Sequence, residues 1–106
     1  MTSNFETLTH INLDDLVASF GWQDHPLLAR LLRMLFLKPA QIFASHVVEY
    51  DEVVGSHGLV AGGWNLVRRY VNDLRIINAD RIPDSAFLAL SNHPGMADTV
   101  ALFAAL

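Results

Sequence analysis

The first half of the chain has the pattern of hydrophobic and polar residues expected of two helices. Residues 13–20 follow Asn12, whose side chain can cap a helix, and a glycine ends the segment. Residues 27–37 are strongly apolar and follow Pro26, a residue that suits the first position of a helix. Pro39 comes directly after this segment and is expected to end the second helix.

Two more helices are predicted in residues 41–54 and 59–71, joined by the glycine-containing turn 55–58. In both segments the large apolar residues recur every three or four positions, which places them on one helical face. A short connection between two amphipathic helices favours an antiparallel pair. The apolar positions are Phe43, Val47, Tyr50 and Val54 in the first helix, and Val60, Trp64, Val67 and Val71 in the second.

Small and aromatic residues near this turn indicate packing rather than ligand binding. No strand leads into the glycines and no Lys-Ser or Lys-Thr follows them, so they do not form a nucleotide-binding loop. We expect Gly58 and Gly62 to permit close helix packing. Trp64 and Tyr70 are expected to be core residues and not a platform for stacking bases.

The pattern changes after residue 72. Residues 74–77 form a short, partly β-branched run, and residues 87–90 form a continuous apolar run that predicts a strand buried on both faces. Pro94 can then open a helix that continues to the last residue. A strand, a polar turn and a helix form half of a βαβ unit.

The predicted fold class is therefore α/β. Residues 1–72 are expected to form a helical region of about four helices, and residues 73–106 to form the first two strands and the first helix of an α/β domain. Because a parallel sheet needs a returning strand, we expect the natural chain to continue past Leu106.

Composition narrows the possible functions. The chain is 52% hydrophobic and 17% charged, with a mean hydropathy of +0.29, so it has either a large core or an apolar surface that faces a partner. A net charge of -4 and the absence of long basic runs disfavour nucleic-acid binding.

The lack of cysteine excludes disulfides and thiolate zinc sites. His10, His25, His46 and His57 lack metal-binding spacing, so no metal site is expected and these residues are assigned to the surface or to caps.

The apolar segment 27–37 leaves two alternatives open. It spans about 17 Å as a helix, too short to cross a hydrocarbon layer of about 30 Å. With Arg30, Arg33 and Lys38 it could lie in a membrane interface, where the cations would meet lipid phosphates. It could equally be a core helix with solvated cations.

Residues 91–98 carry the candidate chemistry. His93 and Asp98 are five positions apart, which would point them in different directions on one helix. Pro94 disfavours the helical conformation for the residue before it, so His93 is expected in the turn and Asp98 in the helix, where the two could meet. A carboxylate that holds an imidazole leaves its other nitrogen free to remove a proton.

Such a base could support direct acyl transfer. Ser91 cannot be placed as a nucleophile against His93, so the attacking hydroxyl would belong to the substrate. Backbone N–H groups at the helix start, near Gly95, could stabilise the oxyanion.

The segment 74–83, the apolar run 87–90 and the sequence from Asn92-His93 to Asp98 together resemble the opening of the PlsC-like glycerol-phosphate and lysophospholipid acyltransferases. The resemblance covers about residues 72 to 106. It implies transfer of a fatty acyl group from acyl-CoA or acyl-carrier protein to a hydroxyl of glycerol phosphate or a lysophospholipid, with no further cofactor.

In the resembling family the histidine is the base and the aspartate orients it, which implies these roles for His93 and Asp98. We also expect Asn92 and Gly95 to contact the substrate. With no secretory signal, the resemblance implies a cytoplasmic protein of phospholipid synthesis, peripheral on the inner face of the membrane.

The sequence departs from the family in three ways. Pro94-Gly95 replaces the Gln or Arg followed by Ser that is frequent after the histidine, which leaves the acceptor open. Asn78 stands where a glycine is common, a mild change because asparagine tolerates a left-handed conformation. The family's later motifs have no counterpart here, so residues 1–106 alone are expected to be inactive. The alternative is a noncatalytic module in which residues 26–71 bind a membrane or a partner protein.

Overall fold

Four α-helices make up most of the part of the chain that the structure describes. The computed structural model describes residues 3–92 and 96–106, with α1 at Asn4–Ser19, α2 at Pro26–His57, α3 at Leu59–Tyr70 and α4 at Met96–Ala105. A short 3-10 helix occupies Ala79–Arg81. The chain separates into two compact units, Met1–Glu49 and Tyr50–Leu106.

Helix α1 is longer than the sequence pattern predicted, and local signals set both of its ends. The Ser3 side chain accepts a hydrogen bond from the Glu6 N–H, and the Glu6 carboxylate accepts one from the Ser3 N–H, which together form a capping box. Asn12 therefore lies inside α1, and its prediction as the N-cap was wrong. At the other end, Gly21 adopts φ 67° and donates to Ala18, while Trp22 donates to Val17. These two bonds form a Schellman motif.

Helix α2 runs without a break through Pro39, so the predicted helices 27–37 and 41–54 are one element. Pro39 costs the helix one backbone hydrogen bond. Ala40 and Phe43, which follow it, line a groove against α1 together with Leu13 and Pro39. Packing of this face offsets the local preference of proline, as tertiary context often does. Within the described residues, no helix combines the length and the apolar character needed to span a bilayer.

The second unit packs α4 against α3 through small residues. Leu66 and Val67 of α3 and Val100 and Ala104 of α4 form its buried core. A Cβ atom placed on Gly63 would lie 2.6 Å from the Ala104 backbone nitrogen, so the two helix backbones meet there. The sequence pattern did not predict this role for Gly63.

The two glycines expected to permit close packing differ from each other. A Cβ on Gly62 would clash with Val54 and lie 3.1 Å from the Tyr50 ring, so this residue does allow the end of α2 to approach α3. Gly58 has open space around it and instead adopts φ 91° as the N-cap of α3. Its role is to turn the chain, because few other residues adopt a positive φ without strain.

The aromatic residues of α3 also differ. Trp64 is half-buried and packs against the core, as predicted. Tyr70 is 51% exposed, so its assignment to the core was wrong. The burial that remains raises the pKa of the Tyr70 phenol, while the positive charge of Arg69 acts in the opposite direction.

The predicted α/β fold is wrong. Residues 74–77 and 87–90 are not strands, and the part of the chain that the structure describes contains no β-strand. Leu88 and Leu90 are 82% and 86% exposed, although a strand buried on both faces was expected there. A strand is stable only when a partner satisfies its backbone groups and covers its side chains. Two runs of four residues do not supply a sheet.

Candidate functional site

The structure describes the catalytic motif predicted from the sequence in part, at Asn92 and from Met96 onwards. Asn92 is exposed and follows residues 86–91, which have no regular secondary structure. Asp98 is exposed and lies in the first turn of α4. His93 and Gly95, the other two predicted site residues, lie outside the described residues, and Pro94 lies there with them.

Helix α4 determines the direction in which Asp98 points. Val100 and Ala104 are buried against α3, and at 100° per residue they lie on the opposite side of α4 from Asp98. The carboxylate therefore faces solvent. A negative charge in the first turn also interacts favourably with the helix dipole, which is a sufficient structural reason for an aspartate at this position.

An apolar stretch leads directly into the motif. Phe87, Leu88 and Leu90 are all exposed, and Leu88 and Leu90 have more than four fifths of their surface in contact with solvent. Uncovered apolar side chains beside a polar motif are typical of a surface that contacts a lipid or a partner. The apolar run predicted a buried strand for these residues, and their exposure shows that this prediction was wrong.

A second surface appears on α2. Leu27, Leu31, Met34, Leu35 and Ile42 are all exposed large hydrophobic residues, and we call them the α2 stripe. Outside this arc on the same helix, Leu32 and Ala40 are buried. The sequence signal for this arrangement is a segment that is apolar all the way round, which allows one side to be buried and the other to stay exposed.

The groove between α1 and α2 is too small to be a typical substrate pocket. It has a volume of about 140 Å³ and is lined by apolar side chains that include Leu13, Leu16 and Phe43. Pockets for drug-sized ligands have volumes of about 300 to 1,000 Å³. The Asn12 side-chain amide also borders this groove, and its nitrogen has no hydrogen-bond partner within the described residues.

Among the described residues, no three His, Asp or Glu side chains lie close enough together to bind a metal ion. His10, His25 and His57 are exposed, and His46 is half-buried. The carbonyl of His25 accepts the first backbone hydrogen bond of α2 from Ala29, so His25 is the residue at which the chain enters that helix.

Comparison of the sequence and the structure with protein-family models, with curated proteins and with solved structures gave no match.

Proposed function

We propose that this protein takes part in the transfer of a fatty acyl group from an acyl-CoA or acyl-carrier-protein thioester to a hydroxyl of glycerol phosphate or a lysophospholipid. In this proposal His93 is the general base and Asp98 orients it. The observation that carries the proposal is the sequence Asn92-His93 followed by Asp98, with Asp98 on the solvent-facing side of the first turn of α4.

Two further observations support the proposal. Asn78 adopts a left-handed conformation with φ 60°, in agreement with the expectation that it replaces a family glycine. The exposed side chains of Leu88 and Leu90 precede the motif and offer an apolar surface to a fatty acyl chain. Neither observation depends on a β-sheet.

The proposed reaction needs few protein groups. The imidazole of His93 removes the proton of the acceptor hydroxyl, and the oxygen attacks the thioester carbonyl carbon. Backbone N–H groups at the start of the helix, near Gly95, stabilise the oxyanion that forms. The C–S bond then breaks, and the leaving thiolate takes the proton from the imidazolium. The carboxylate of Asp98 stabilises that imidazolium and fixes the ring orientation.

The test is an acyl-transfer assay on the protein at the full length that its gene encodes, with labelled acyl-CoA and either glycerol 3-phosphate or a lysophospholipid. His93→Ala is expected to lower the rate by about 100- to 10,000-fold, the typical contribution of a general base. Asp98→Asn is expected to lower the rate by a smaller factor, because it leaves the base in place.

The matched control is His57→Ala, which changes an exposed histidine at the end of α2. This variant should keep the wild-type rate. Near-normal transfer by His93→Ala would disprove the proposed mechanism. Absence of acyl transfer in the wild-type protein with every donor and acceptor would favour the noncatalytic alternative in which residues 26–71 bind a membrane or a partner.

A further inference from the structure

The α2 stripe is a largely apolar surface, interrupted by Lys38, on a helix whose other side is already packed. At 100° per residue, its five residues fall within about 100° of arc around α2. Leu27 and Met34 are its most exposed members, at 83% and 69%. The stripe runs along about 23 Å of the helix, at a rise of 1.5 Å per residue. A row of large apolar side chains of this length is unusual on a surface that faces only water.

Helix α1 covers the opposite side of α2. Leu13 and Leu16 of α1 share a groove with Phe36, Ala40 and Phe43, which lie on the far side of α2 from the stripe. The carboxylate of Asp14 forms an ion pair with Arg33, which is also outside the arc of the stripe. The stripe is therefore a second apolar face, separate from the one that α1 packs against.

The charged residues that α2 itself carries near the stripe have one sign, while Glu6 of α1 lies in a groove with Leu37 and Gln41. Residues 26–48 include Arg30, Arg33 and Lys38 and contain no Asp or Glu, whereas the whole chain carries a net charge of -4. Lys38 lies within the arc of the stripe, between Leu35 and Ile42 along the helix, and Arg30 lies beside its edge. Both cations are exposed.

From this geometry we propose that the α2 stripe docks on an anionic lipid surface, with α2 lying in the plane of the interface. The five side chains would enter the boundary between headgroups and acyl chains, and Arg30 and Lys38 would meet lipid phosphates. Lys38 favours lipid over a protein partner, because lysine is depleted from protein interfaces. At a membrane its methylene stem can lie along the acyl chains while the ammonium group reaches the headgroups.

A second copy of the chain is a weaker occupant for the same surface. Stable protein interfaces involve about 20 to 30 residues on each side, many more than the stripe provides. Two copies facing each other through the stripe would also place both Lys38 side chains in an apolar interface, which is unfavourable for an unpaired charge. The proposal is independent of acyl transfer, since it requires neither His93 nor Asp98.

The test is co-sedimentation of the 106-residue protein with vesicles of phosphatidylcholine alone and of phosphatidylcholine mixed with phosphatidylglycerol. We expect binding to the mixed vesicles to be at least about tenfold tighter and to weaken as salt is added. Met34→Gln with Leu35→Gln should weaken binding to the mixed vesicles by about tenfold or more. Arg30→Gln and Lys38→Gln should each weaken it by about fivefold, because each cation near an anionic surface adds a modest attraction.

The matched control is Ile76→Gln with Ile77→Gln, which removes two exposed hydrophobic residues that lie outside both the stripe and the proposed acyl-binding surface. This control should bind as the wild type does. We call the protein with Met34→Gln and Leu35→Gln the stripe variant. The proposal is overturned if the wild type binds neither kind of vesicle, or if the stripe variant and the control lose binding equally. It is also overturned if the wild type binds no vesicles but forms a dimer in solution that dissociates in the stripe variant. If the stripe variant loses its helical circular dichroism, the Arg30→Gln and Lys38→Gln variants decide the outcome.

Discussion

At the scale of single residues, the glycines of the helices have very different neighbours. A Cβ on Gly63 would meet the backbone of α4 at Ala104, Phe103 and Val100, whereas a Cβ on Gly55 would meet nothing within 4 Å. Backbone atoms cannot move aside as the end of a flexible side chain can. Gly63 is therefore required for the contact between α3 and α4, and Gly55 only loosens the end of α2.

Gly63→Ala is expected to lower the free energy of unfolding by about 1 to 3 kcal/mol, the usual cost of overpacking a tight contact. Gly55→Ala should raise it by about 0.4 to 1 kcal/mol, because alanine reduces the freedom of the unfolded chain and fits the helix. Urea denaturation followed by circular dichroism measures both. A Gly63→Ala protein as stable as the wild type would show that α3 and α4 do not approach as closely as described.

At the scale of elements, α2 shows how packing can override a local signal. Proline in a helix interior is unfavourable by about 3 kcal/mol relative to alanine, yet Pro39 lies within a helix of 32 residues. Pro26 in the same helix occupies the first position, where the missing N–H has no cost. The two prolines therefore provide a matched comparison within one element.

Pro39→Ala is expected to raise the free energy of unfolding by about 1 to 3 kcal/mol, since it restores a backbone hydrogen bond and removes a steric conflict. Pro26→Ala should change it by much less. Thermal unfolding of both variants, followed by circular dichroism, provides the measurement. A loss of stability in Pro39→Ala would mean that the proline ring contributes more through its contacts with α1 than it costs the helix.

At the scale of the whole molecule, the helices contrast with the connection between α3 and α4. Residues 71–92 contain a single 3-10 turn at Ala79–Arg81 and otherwise no regular structure. Most side chains in this connection are exposed, and the Arg75–Asp73 ion pair lies at the surface. A chain segment with few buried contacts opens more easily than a packed helix.

Limited proteolysis with trypsin is expected to cut first after Arg75 or Arg81, because a protease needs an extended, accessible chain. Arg68 and Arg69 provide the internal control, since they are also exposed but lie in α3. Mass spectrometry of the first fragments identifies the site. Initial cleavage after Arg68 or Arg69 would indicate that α3 opens more readily than the connection does.

The sequence predicted part of the candidate site. It identified Asp98 and placed it in a helix, and α4 does contain this residue in its first turn. It did not predict the exposure of Leu88 and Leu90 beside the motif. A continuous apolar run is compatible with a buried strand, but burial depends on a neighbour that the run itself does not specify.

The sequence alone determined several helix boundaries, because the signals for them are local. Gly21 ends α1 and Pro26 begins α2, as predicted. The pair Ser3 and Glu6 would also have located the true start of α1, since their spacing is that of a capping box.

Only the tertiary structure decided which apolar residues are covered. It joined the segments on either side of Pro39 into one helix, brought Gly63 against α4, and left the α2 stripe and the residues near Leu88 exposed. These outcomes depend on contacts between residues far apart in the chain. Caps and turns depend on hydrogen bonds between near neighbours, whereas burial depends on which surfaces the folded chain brings together.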